Sequence, residues 1–440
     1  MTTTKNTNQH FDVIISGSGL SGSLMALSLS KLTKQDGSLL SIAIIEMQTV
    51  SKSKLNNDSS LFDERVLALS HGSAKYLNEL GAWHYLKSDA CAITDIDISD
   101  RGHFGKARLA AKEHNVNALG YVVAMEKIGK AQLNALKNSQ ADNTKADNTK
   151  ANNTQADNIQ WFSPDSISAI DWHTENANQA QVRVTLNSNK ILSASLILAC
   201  DGVQSPVRKL ANIKVNAENY QQVALITNVS TSKHHQNKAF ERFTEFGPIA
   251  MLPLTNAVVN SSGNSTDSNR CSLVWTMTPE QGKVINQLDD TAFKTELERA
   301  FGSYLGTITQ VGKRHTYPLV LLQAQQQTYH RMALVGNSSH TIHPIAGQGF
   351  NLGLRDVKVM AKLIEEALLA NQDIGSFSLL QTYQTNRAKD QRDVIALTDS
   401  LVTLFANDLP PLVLGRNIAL QGLNFMSPLK NALVKKTMGY

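Results

Sequence analysis

The stretch GNSSHTIHPIAGQGFNLG, at residues 336–353, constrains the fold of this 440-residue chain more than any other. It follows the apolar run at 332–335, which reads as a short buried strand. Apolar residues then recur at helical spacing, at Leu354, Val357, Ala361, Ile364 and Leu368. We therefore expect a helix that begins near Gly353 or Arg355. Glycines let the backbone approach a flat ligand closely, and a helix N-terminus offers free N–H groups and positive potential. The stretch predicts a site for an electron-rich group.

A second glycine-rich stretch, FDVIISGSGLSG, occupies residues 11–22. An apolar strand leads into a GxGxxG pattern, and a second strand at 41–45 ends at Glu46, near the distance expected for an acid that binds ribose hydroxyls. A glycine-rich turn without a ligand is the alternative interpretation, but the strand, the helix and the acid are all in place. The predicted dinucleotide-binding residues are Gly17, Gly19, Leu20, Ser21, Gly22 and Glu46.

The third segment, LILACDGVQSPVR at residues 196–208, is another buried strand, and it ends in Asp201 and Gly202. Taken alone, it fits an ordinary exit from a strand into a turn, because Asp-Gly is common in turns.

Together, and in this order, the three segments resemble the class A flavoprotein aromatic hydroxylases, which are marked by GxGxxG, a central Asp-Gly and a later Gly-Asp. The chain is most similar to the ubiquinone-biosynthesis hydroxylases, in the branch acting on 2-polyprenyl-6-methoxyphenol. The motifs behind this choice are GN..HTIHPIAGQGFNLGLRD at 336–356, FDVIISGSGLSG and DERVLALS at 63–70. The wider class has Asp where this chain has Asn337, and the branch resembles this chain in carrying Asn. Asn keeps a hydrogen-bonding carbonyl but loses the charge.

The resemblance implies an α/β fold, in which a Rossmann-like FAD-binding domain is interleaved with an antiparallel-sheet substrate domain and followed by C-terminal helices. We assign 11–214 and 326–377 to the FAD-binding domain, 215–325 to the substrate sheet and 378–440 to the helical segment. Short apolar runs between 215 and 325 favour strands. The repeat ADNTK within 139–158 carries no apolar content and is predicted to be a flexible loop.

The same resemblance implies the cofactors and several contacts. FAD would place its ADP portion at the GxGxxG loop and Glu46, and its isoalloxazine ring against Gly347, Gln348 and Gly349. NAD(P)H would dock transiently as reductant, and O2 would add to the reduced flavin to give the hydroperoxide that oxidises the ring. The remaining residues predicted to bind the cofactor are Arg65, Gln132, Asp201, Asn337 and Asn351.

Two of these residues also have simpler interpretations. Arg65 precedes apolar residues at helical spacing (Val66, Leu69, Ala74 and Leu77), so it is also explained as a solvated side chain near a helix start. Gln132 lies on a predicted helix at 127–138, where a polar residue needs no ligand.

His340 and His343 are three residues apart, but the loop has no Cys, Asp or Glu to complete a metal shell, so we predict no metal. His343 and Pro344 are candidates to line the cavity over the flavin. The sequence identifies no essential acid or base.

Composition limits the partners and the location. Cys91, Cys200 and Cys271 are too few and too scattered for a disulfide framework, which favours a cytoplasmic protein. A net charge of +5 does not indicate a nucleic-acid partner, but it permits weak attraction to an anionic membrane. No apolar run reaches transmembrane length. A lipophilic polyprenyl-phenol would therefore be met peripherally at the inner membrane face, or through a quinone-biosynthesis protein complex. For residues 409–440 we favour a capping helix packed on the FAD-binding domain over a partner-docking or membrane-surface helix.

Three other functions compete with this one. A flavin-dependent halogenase shares the fold, but its WxWxIP signature is missing, since Trp83, Trp161, Trp172 and Trp275 stand alone. A sister hydroxylase acting at another ring carbon and a non-catalytic FAD-binding subunit of a quinone-synthesis complex both remain open.

Overall fold

The computed structural model describes residues 9–49, 65–147, 158–172, 181–255, 269–342, 347–405, 410–425 and 427–439. The strands are β1 (Gln9–Ser16), β2 (Ile42–Ile45), β3 (Val66–Ser70), β4 (Cys91–Ile93), β5 (Asp95–Asp100), β6 (Lys106–Ala110), β7 (Gly120–Ala124), β8 (Ile159–Phe162), β9 (Ile167–Asp171), β10 (Val182–Leu186), β11 (Ile191–Ala199), β12 (Val215–Thr231), β13 (Lys238–Thr244), β14 (Gly247–Pro253), β15 (Arg270–Met277), β16 (Ile308–Val311), β17 (His315–Ala324), β18 (Thr328–Tyr329), β19 (Met332–Leu334) and β20 (His340–Thr341). The helices are α1 (Leu20–Leu29), α2 (His71–Glu79), α3 (Met125–Asp147), α4 (Pro206–Leu210), α5 (Pro279–Gln287), α6 (Asp290–Phe301), α7 (Gln348–Leu369), α8 (Phe377–Phe405), α9 (Pro410–Phe425) and α10 (Ser427–Thr437).

The first sheet has a parallel centre in the order β8-β2-β1-β11-β19. Val13, Ile14 and Ile15 of β1 are fully buried, because both faces of this sheet are covered. Val13 and Ile15 belong to the apolar core that includes α1, α3, α7 and α8, whereas Ile14 belongs to the core on the opposite face, with β10 and α4. The continuous apolar sequence of β1 follows from this two-sided burial.

The second sheet has nine strands, in the order β20-β17-β12-β15-β14-β13-β5-β6 with β16 added against β12. Its pairs are antiparallel except for β13 with β5. One face packs Leu225 and Leu273 against Phe293 and Leu297 of α6. The other face is left to form a cavity wall. The predicted α/β architecture with an interleaved antiparallel sheet is confirmed.

The stretch at 336–353 begins in the connection between the two sheets. β19 pairs with β11 in the first sheet, and β20, six residues later, pairs with β17 in the second sheet. A single-turn 3-10 helix, Gly336–Ser338, makes the connection. The loop that follows β20 is therefore held where the two sheets meet.

The start of α7 differs from the prediction. The helix begins at Gln348, with Gly347 as its N-cap, rather than near Gly353 or Arg355. Apolar periodicity detects only the part of a helix that packs on the core. The first turn of α7 instead buries the polar side chains of Gln348 and Asn351.

Two further expectations were wrong. Residues Val66–Ser70 form a strand paired with β7 rather than the first turn of a helix, because cross-strand pairing overrides a weak helical spacing. Helix α3 continues to Asp147, well into the predicted loop at 139–158, because extending an existing helix costs less than nucleating one. Residues 148–157 lie outside the described part.

The interleaving also goes further than the sequence division suggests. β5 and β6 lie within 11–214, yet they pair in the second sheet. The domain boundaries themselves stay a prediction. Helices α8, α9 and α10 account for the described residues after 377, as expected. Within the described residues, no helix is both long and apolar enough to cross a membrane.

Candidate cofactor and substrate site

The GxGxxG loop packs directly against the Asp-Gly segment. Gly17 has a positive φ of 89°, and a Cβ there would lie 2.7 Å from the carbonyl oxygen of Cys200 and 2.8 Å from the Cα of Asp201. Only glycine fits this contact, because the backbones themselves approach. The GxGxxG loop and the Asp-Gly segment are thus brought together at the carboxyl ends of β1 and β11.

The N-terminus of α1 is built for close approach. A Cβ at Gly22 would lie 1.9 Å from the carbonyl oxygen of Gly17, so this glycine serves packing within the protein. A Cβ at Gly19 would meet no heavy atom within 4 Å. Gly19 is the N-cap of α1, and the N–H groups of Leu20 and Ser21 lie in the first turn, where helices have no internal acceptor. This geometry suits an anionic group such as a pyrophosphate.

Glu46 ends β2 beside the same loop. One of its carboxylate oxygens accepts hydrogen bonds of 2.8 Å from both the backbone N–H and the hydroxyl of Ser18. The other oxygen accepts from the backbone N–H of Gln48 at 2.9 Å. The carboxylate is therefore fixed in place and still has lone pairs for ribose hydroxyls. The sequence did not single out Ser18, which occupies the first variable position of GxGxxG.

Asp201 has unused hydrogen-bonding capacity. One oxygen accepts from the backbone N–H of Val207 at 3.1 Å, but Oδ1 is buried with no partner among the described residues. Burial raises the pKa of this carboxyl. A Cβ at the neighbouring Gly202 would meet nothing within 4 Å. A ligand hydroxyl at this position would satisfy the buried oxygen.

The stretch at 336–353 reaches the GxGxxG loop at Gly336. A Cβ at Gly336 would lie 2.5 Å from the Oγ of Ser21, and one at Gly353 would lie 3.1 Å from the Cα of Gly336. The loop thus runs against the start of α1, and the next residue, Asn337, is exposed. Asn337 is thus accessible beside the GxGxxG loop, and its contact with the cofactor stays a prediction.

Gly347 fixes the start of α7. Its φ of 61° is left-handed, and a Cβ would lie 2.8 Å from the Cβ of Ala68. Asn351 secures the same contact, because its amide donates to the carbonyls of Ala68 and Gly347 at 2.8 Å, and its oxygen accepts from the N–H of Ser70 at 2.8 Å. Ser73 also donates to that oxygen. Asn351 is buried, and these hydrogen bonds within the protein hold the loop in shape. Its contact with the cofactor stays a prediction.

Gln132 is fully buried on α3, which packs against α1. Neither its amide nitrogen nor its amide oxygen has a hydrogen-bond partner among the described residues. A buried amide without partners costs roughly 1–3 kcal/mol per unsatisfied group. The resemblance places the adenosine half of FAD here, and a ligand at that position would remove this cost.

The three motifs, the glycines with free space and the two unpartnered buried side chains fit FAD. Asp201 lies against Gly17 and Glu46 bonds to Ser18, so both acids lie beside the GxGxxG loop. Gln132 lies on α3, which packs against α1. These residues would hold the cofactor at the carboxyl edge of the first sheet, which is the usual place for a dinucleotide in such sheets.

A cavity of about 440 Å³ opens beside Gly347 and Gln348. Its walls come from β3, the inner face of the second sheet and the C-terminal helices, and they are mostly apolar. Representative lining residues are Leu67, Ile93, Ile98, Leu109, Ile226, Phe240, Ala250, Val274, Val394, Phe405, Leu420, Val434 and Met438. This volume is typical of small-molecule sites.

Arg65 also lines the cavity, with its guanidinium carbon 5.8 Å from the centroid of the Tyr317 ring. It is exposed, as the simpler interpretation requires, yet it faces the site where the flavin is predicted. Its contact with the cofactor stays a prediction. His343 and Pro344 lie outside the described residues. Gly349 lies in the first turn of α7, where a Cβ would come no closer than 3.9 Å to Ile342.

A buried ionic network lies beside the stretch at 336–353, and it was not predicted from the sequence. Asp356 is fully buried, and it accepts hydrogen bonds from the N–H of Gly336 at 2.9 Å and from Arg387 at 2.6 Å, while His340 lies 2.8 Å away. Burial alone would raise the pKa of Asp356, but Arg387 and His340 outweigh it and hold the pKa at about 2. The apolar periodicity of α7 hid this residue, because Asp356 falls between the apolar positions.

The second residue missed is Glu241, on β13. It lines the cavity, and burial raises its pKa to about 7. The only available signal was its place in the strand sequence KAFERFT, where alternation puts it on one face with Ala239 and Phe243.

Comparison with known proteins agrees with this site. A family model described as an FAD binding domain matches residues 154–398. The chain is 30% identical to ubiquinone hydroxylase UbiL of Rhodospirillum rubrum over 433 residues, covering 97% of this chain and 89% of that protein. It is 28% identical to the mitochondrial ubiquinone biosynthesis monooxygenase COQ6 of Homo sapiens, covering 98% of this chain and 92% of that protein.

Among solved structures, p-nitrophenol 4-monooxygenase PnpA from Pseudomonas putida superposes with a TM-score of 0.70 at 16% identity, covering 98% of this chain and 99% of that one. PqsL from Pseudomonas aeruginosa, a probable FAD-dependent monooxygenase, gives a TM-score of 0.68 at 17% identity, covering 94% and 100%. These two likenesses show the fold.

FAD is accordingly the cofactor of this protein, and NAD(P)H and O2 are the co-substrates general to its class. The resemblance read from the motifs is confirmed at the level of the family. The chain belongs to the family of FAD-dependent monooxygenases that includes ubiquinone hydroxylase UbiL and the COQ6 monooxygenases.

Proposed function

We propose that this protein hydroxylates the aromatic ring of a polyprenylated methoxyphenol in ubiquinone biosynthesis. The observation that carries the proposal is the apolar cavity of about 440 Å³ that adjoins Gly347 and Gln348, where the flavin ring is predicted. An apolar cavity next to a flavin site suits a lipophilic phenol. The names of the relatives, which refer to ubiquinone, support the substrate class.

The chemistry supplied by bound FAD is reduction by NAD(P)H and activation of O2. The protein's own part is positioning and exclusion of water. Gly347 holds the loop in a left-handed turn, so the N-terminus of α7 directs its N–H groups and its positive potential toward the flavin side of the cavity. The apolar walls keep water out and would orient the phenol ring against that loop.

The C-terminal helices provide a route for a lipophilic substrate. Leu420 of α9 and Val434 of α10 line the cavity. On the outer side of α9, Leu414 and Ile418 are 55% and 56% exposed, one helical turn apart. We propose that this outer face meets a membrane surface, so that α9 both closes the cavity and lies near the isoprenoid pool. A cytoplasmic location with peripheral contact at the inner membrane face is part of the same proposal.

The test is mass spectrometry of quinone-pathway lipids in a bacterium that lacks the hydroxylase, with and without this gene. We expect the accumulated polyprenyl-methoxyphenol to disappear and ubiquinone to return. The Gly347→Trp variant should abolish the effect, because the indole would occupy the space at Ala68 and the flavin loop.

The matched control is Gly37→Trp. Gly37 also has a positive φ, of 80°, but it lies in a surface turn before β2, at the opposite end of that strand from Glu46, and a Cβ there meets nothing within 4 Å. If the methoxyphenol persists while another pathway intermediate is consumed, a sister ring position is the correct assignment. If every intermediate persists although the protein carries FAD, the non-catalytic subunit is correct.

A further inference from the structure

The cavity face of the second sheet contains one continuous row of paired residues. Glu241 of β13 pairs with Ile98 of β5 on one side and with Ala250 of β14 on the other. Ala250 pairs with Val274 of β15, which pairs with Ile226 of β12. All five residues line the cavity. Neighbours paired in this way share a face of the sheet, so the carboxyl of Glu241 stands in a row that is otherwise apolar.

Glu241 has no structural role that explains the carboxyl. Its side chain makes no hydrogen bond or ion pair with any residue in the described ranges, which include all five strands around it. The other charged residues lining the cavity are cations from other elements, Arg65 before β3 and Lys436 on α10. Lys436 lies 3.3 Å from Asp393, and Arg65 lies over the ring of Tyr317. Among the described residues that line the cavity, Glu241 is therefore the acid that is available to bind a ligand.

We infer that Glu241 binds the phenolic hydroxyl of the substrate and acts as the general base that removes its proton. This inference rests on the proposed function and adds the residue that activates the ring. The O–H bond breaks, the proton moves to the carboxylate, and the electron pair stays on the phenolate oxygen. The phenolate directs that electron density to its ortho and para carbons, one of which takes one atom of O2, while the other oxygen atom leaves as water with the two electrons of NAD(P)H. The ring carbon then loses its hydrogen as a proton to restore aromaticity, and the carboxyl returns its own proton to solvent.

The acid–base properties of the site agree with this role. Burial is the cause of the raised pKa of Glu241, which is about 7. A base with a pKa near the working pH combines a substantial ionised fraction with useful basicity. Because the carboxylate is the active form, the reaction should become faster as the pH rises through about 7.

The experiment compares the wild-type FAD enzyme with Glu241→Gln on a 2-methoxyphenol that carries a short prenyl chain, between pH 6 and 9. The product is followed by mass spectrometry, and NAD(P)H oxidation is followed with and without the phenol. General base catalysis typically contributes roughly 10²–10⁴-fold. We therefore expect kcat/KM of the variant to fall ~100-fold or more and to lose its rise near pH 7. FAD content should be unchanged.

Glu218→Gln is the matched control, since Glu218 is a strand glutamate of the same sheet but is exposed on β12. A methoxyphenol with two ring fluorines separates deprotonation from structure at pH 9, because the electron-withdrawing fluorines lower the pKa of its hydroxyl and the phenol is then largely ionised without a base. The defect of Glu241→Gln relative to wild type should shrink at least tenfold with this compound.

Two results would overturn the inference: a Glu241→Gln variant with the wild-type rate and pH profile, or an equal defect with both phenols. A wild-type enzyme that converts neither phenol would instead contradict the proposed function, and the inference with it.

Discussion

Gly19 and Gly22 lie three residues apart in one loop, but different partners constrain them. Gly22 is limited by the protein itself, since a Cβ would lie 1.9 Å from the carbonyl oxygen of Gly17. Gly19 has open space within 4 Å. If a pyrophosphate approaches the N-terminus of α1, Gly19 is limited by the cofactor alone. The two positions therefore separate folding from binding.

We predict opposite outcomes for Gly22→Ala and Gly19→Ala. Gly22→Ala should destabilise the apoprotein by about 3 kcal/mol or more, because backbone has to move. Gly19→Ala should leave the melting temperature of the apoprotein unchanged but weaken FAD binding at least about tenfold, or ~1.4 kcal/mol. Thermal unfolding of the apoprotein and fluorescence titration with FAD measure the two effects. Wild-type FAD affinity in Gly19→Ala would contradict the assigned pyrophosphate position.

At the scale of the element, the buried network around Asp356 joins α7, α8 and the loop at Gly336. Arg387 on α8 donates to Asp356 on α7, and it also donates to Asp390. The same Asp356 accepts from the N–H of Gly336, directly beside Asn337. The loop that reaches Ser21 is therefore positioned by a carboxylate that is fully buried in the protein.

Asp356→Asn should destabilise the fold by about 3–5 kcal/mol, because it leaves Arg387 buried without its full partner. Asp390→Asn is the control and should cost less, since the side chain of Asp390 is 26% exposed. The sign of the pH effect follows from the lowered pKa of Asp356. Its contribution is complete above the ordinary value of 3.8 and is lost as the pH falls toward about 2.

Chemical denaturation at neutral pH measures the first effect, and its repetition down to pH 2 measures the second. Wild type should lose stability between pH 4 and 2 more steeply than Asp356→Asn does. Equal slopes would show that Asp356 is not the group responsible.

At the scale of the whole molecule, α9 connects the cavity to the outer surface. Arg416 donates to Asp100 of β5 at 2.8 Å, and both side chains are almost fully buried. Asn417 donates to the same carboxylate at 3.0 Å. These bonds fix the inner face of α9 to the second sheet, so α9 caps that sheet and not the FAD-binding sheet that the sequence favours. Leu414 and Ile418 on the outer face remain exposed.

We predict that Leu414→Glu with Ile418→Glu reduces binding to vesicles of mixed anionic and zwitterionic phospholipids at least tenfold. Burial of a large apolar side chain contributes about 1.5–3 kcal/mol, so two such losses are easily measured. Flotation with vesicles is the assay, and FAD content should not change. Val284→Glu is the control, because Val284 is 61% exposed on α5, on a different helix. Flotation equal to wild type in the double variant would contradict the membrane face.

The sequence by itself determined the cofactor class, the order of the motifs and most of the regular structure. It did so because those features depend on local rules: glycine spacing at a strand–helix turn, apolar runs in strands buried on both faces, and helical periodicity where a helix packs on the core. Gly17, Gly19, Gly22 and Glu46 followed from such patterns, and in the structure they lie together after the carboxyl ends of β1 and β2.

The tertiary structure decided what depends on pairing between distant segments. The register of β5, β13, β14, β15 and β12 places Glu241 in an apolar row, and no local pattern records that register. The same holds for the strand at Val66–Ser70, which exists through its pairing with β7, and for Asp356, whose partners come from α8 and from the loop at Gly336. Long-range contacts supply the burial and the charge that give these side chains their properties, and these contacts form only in the folded chain.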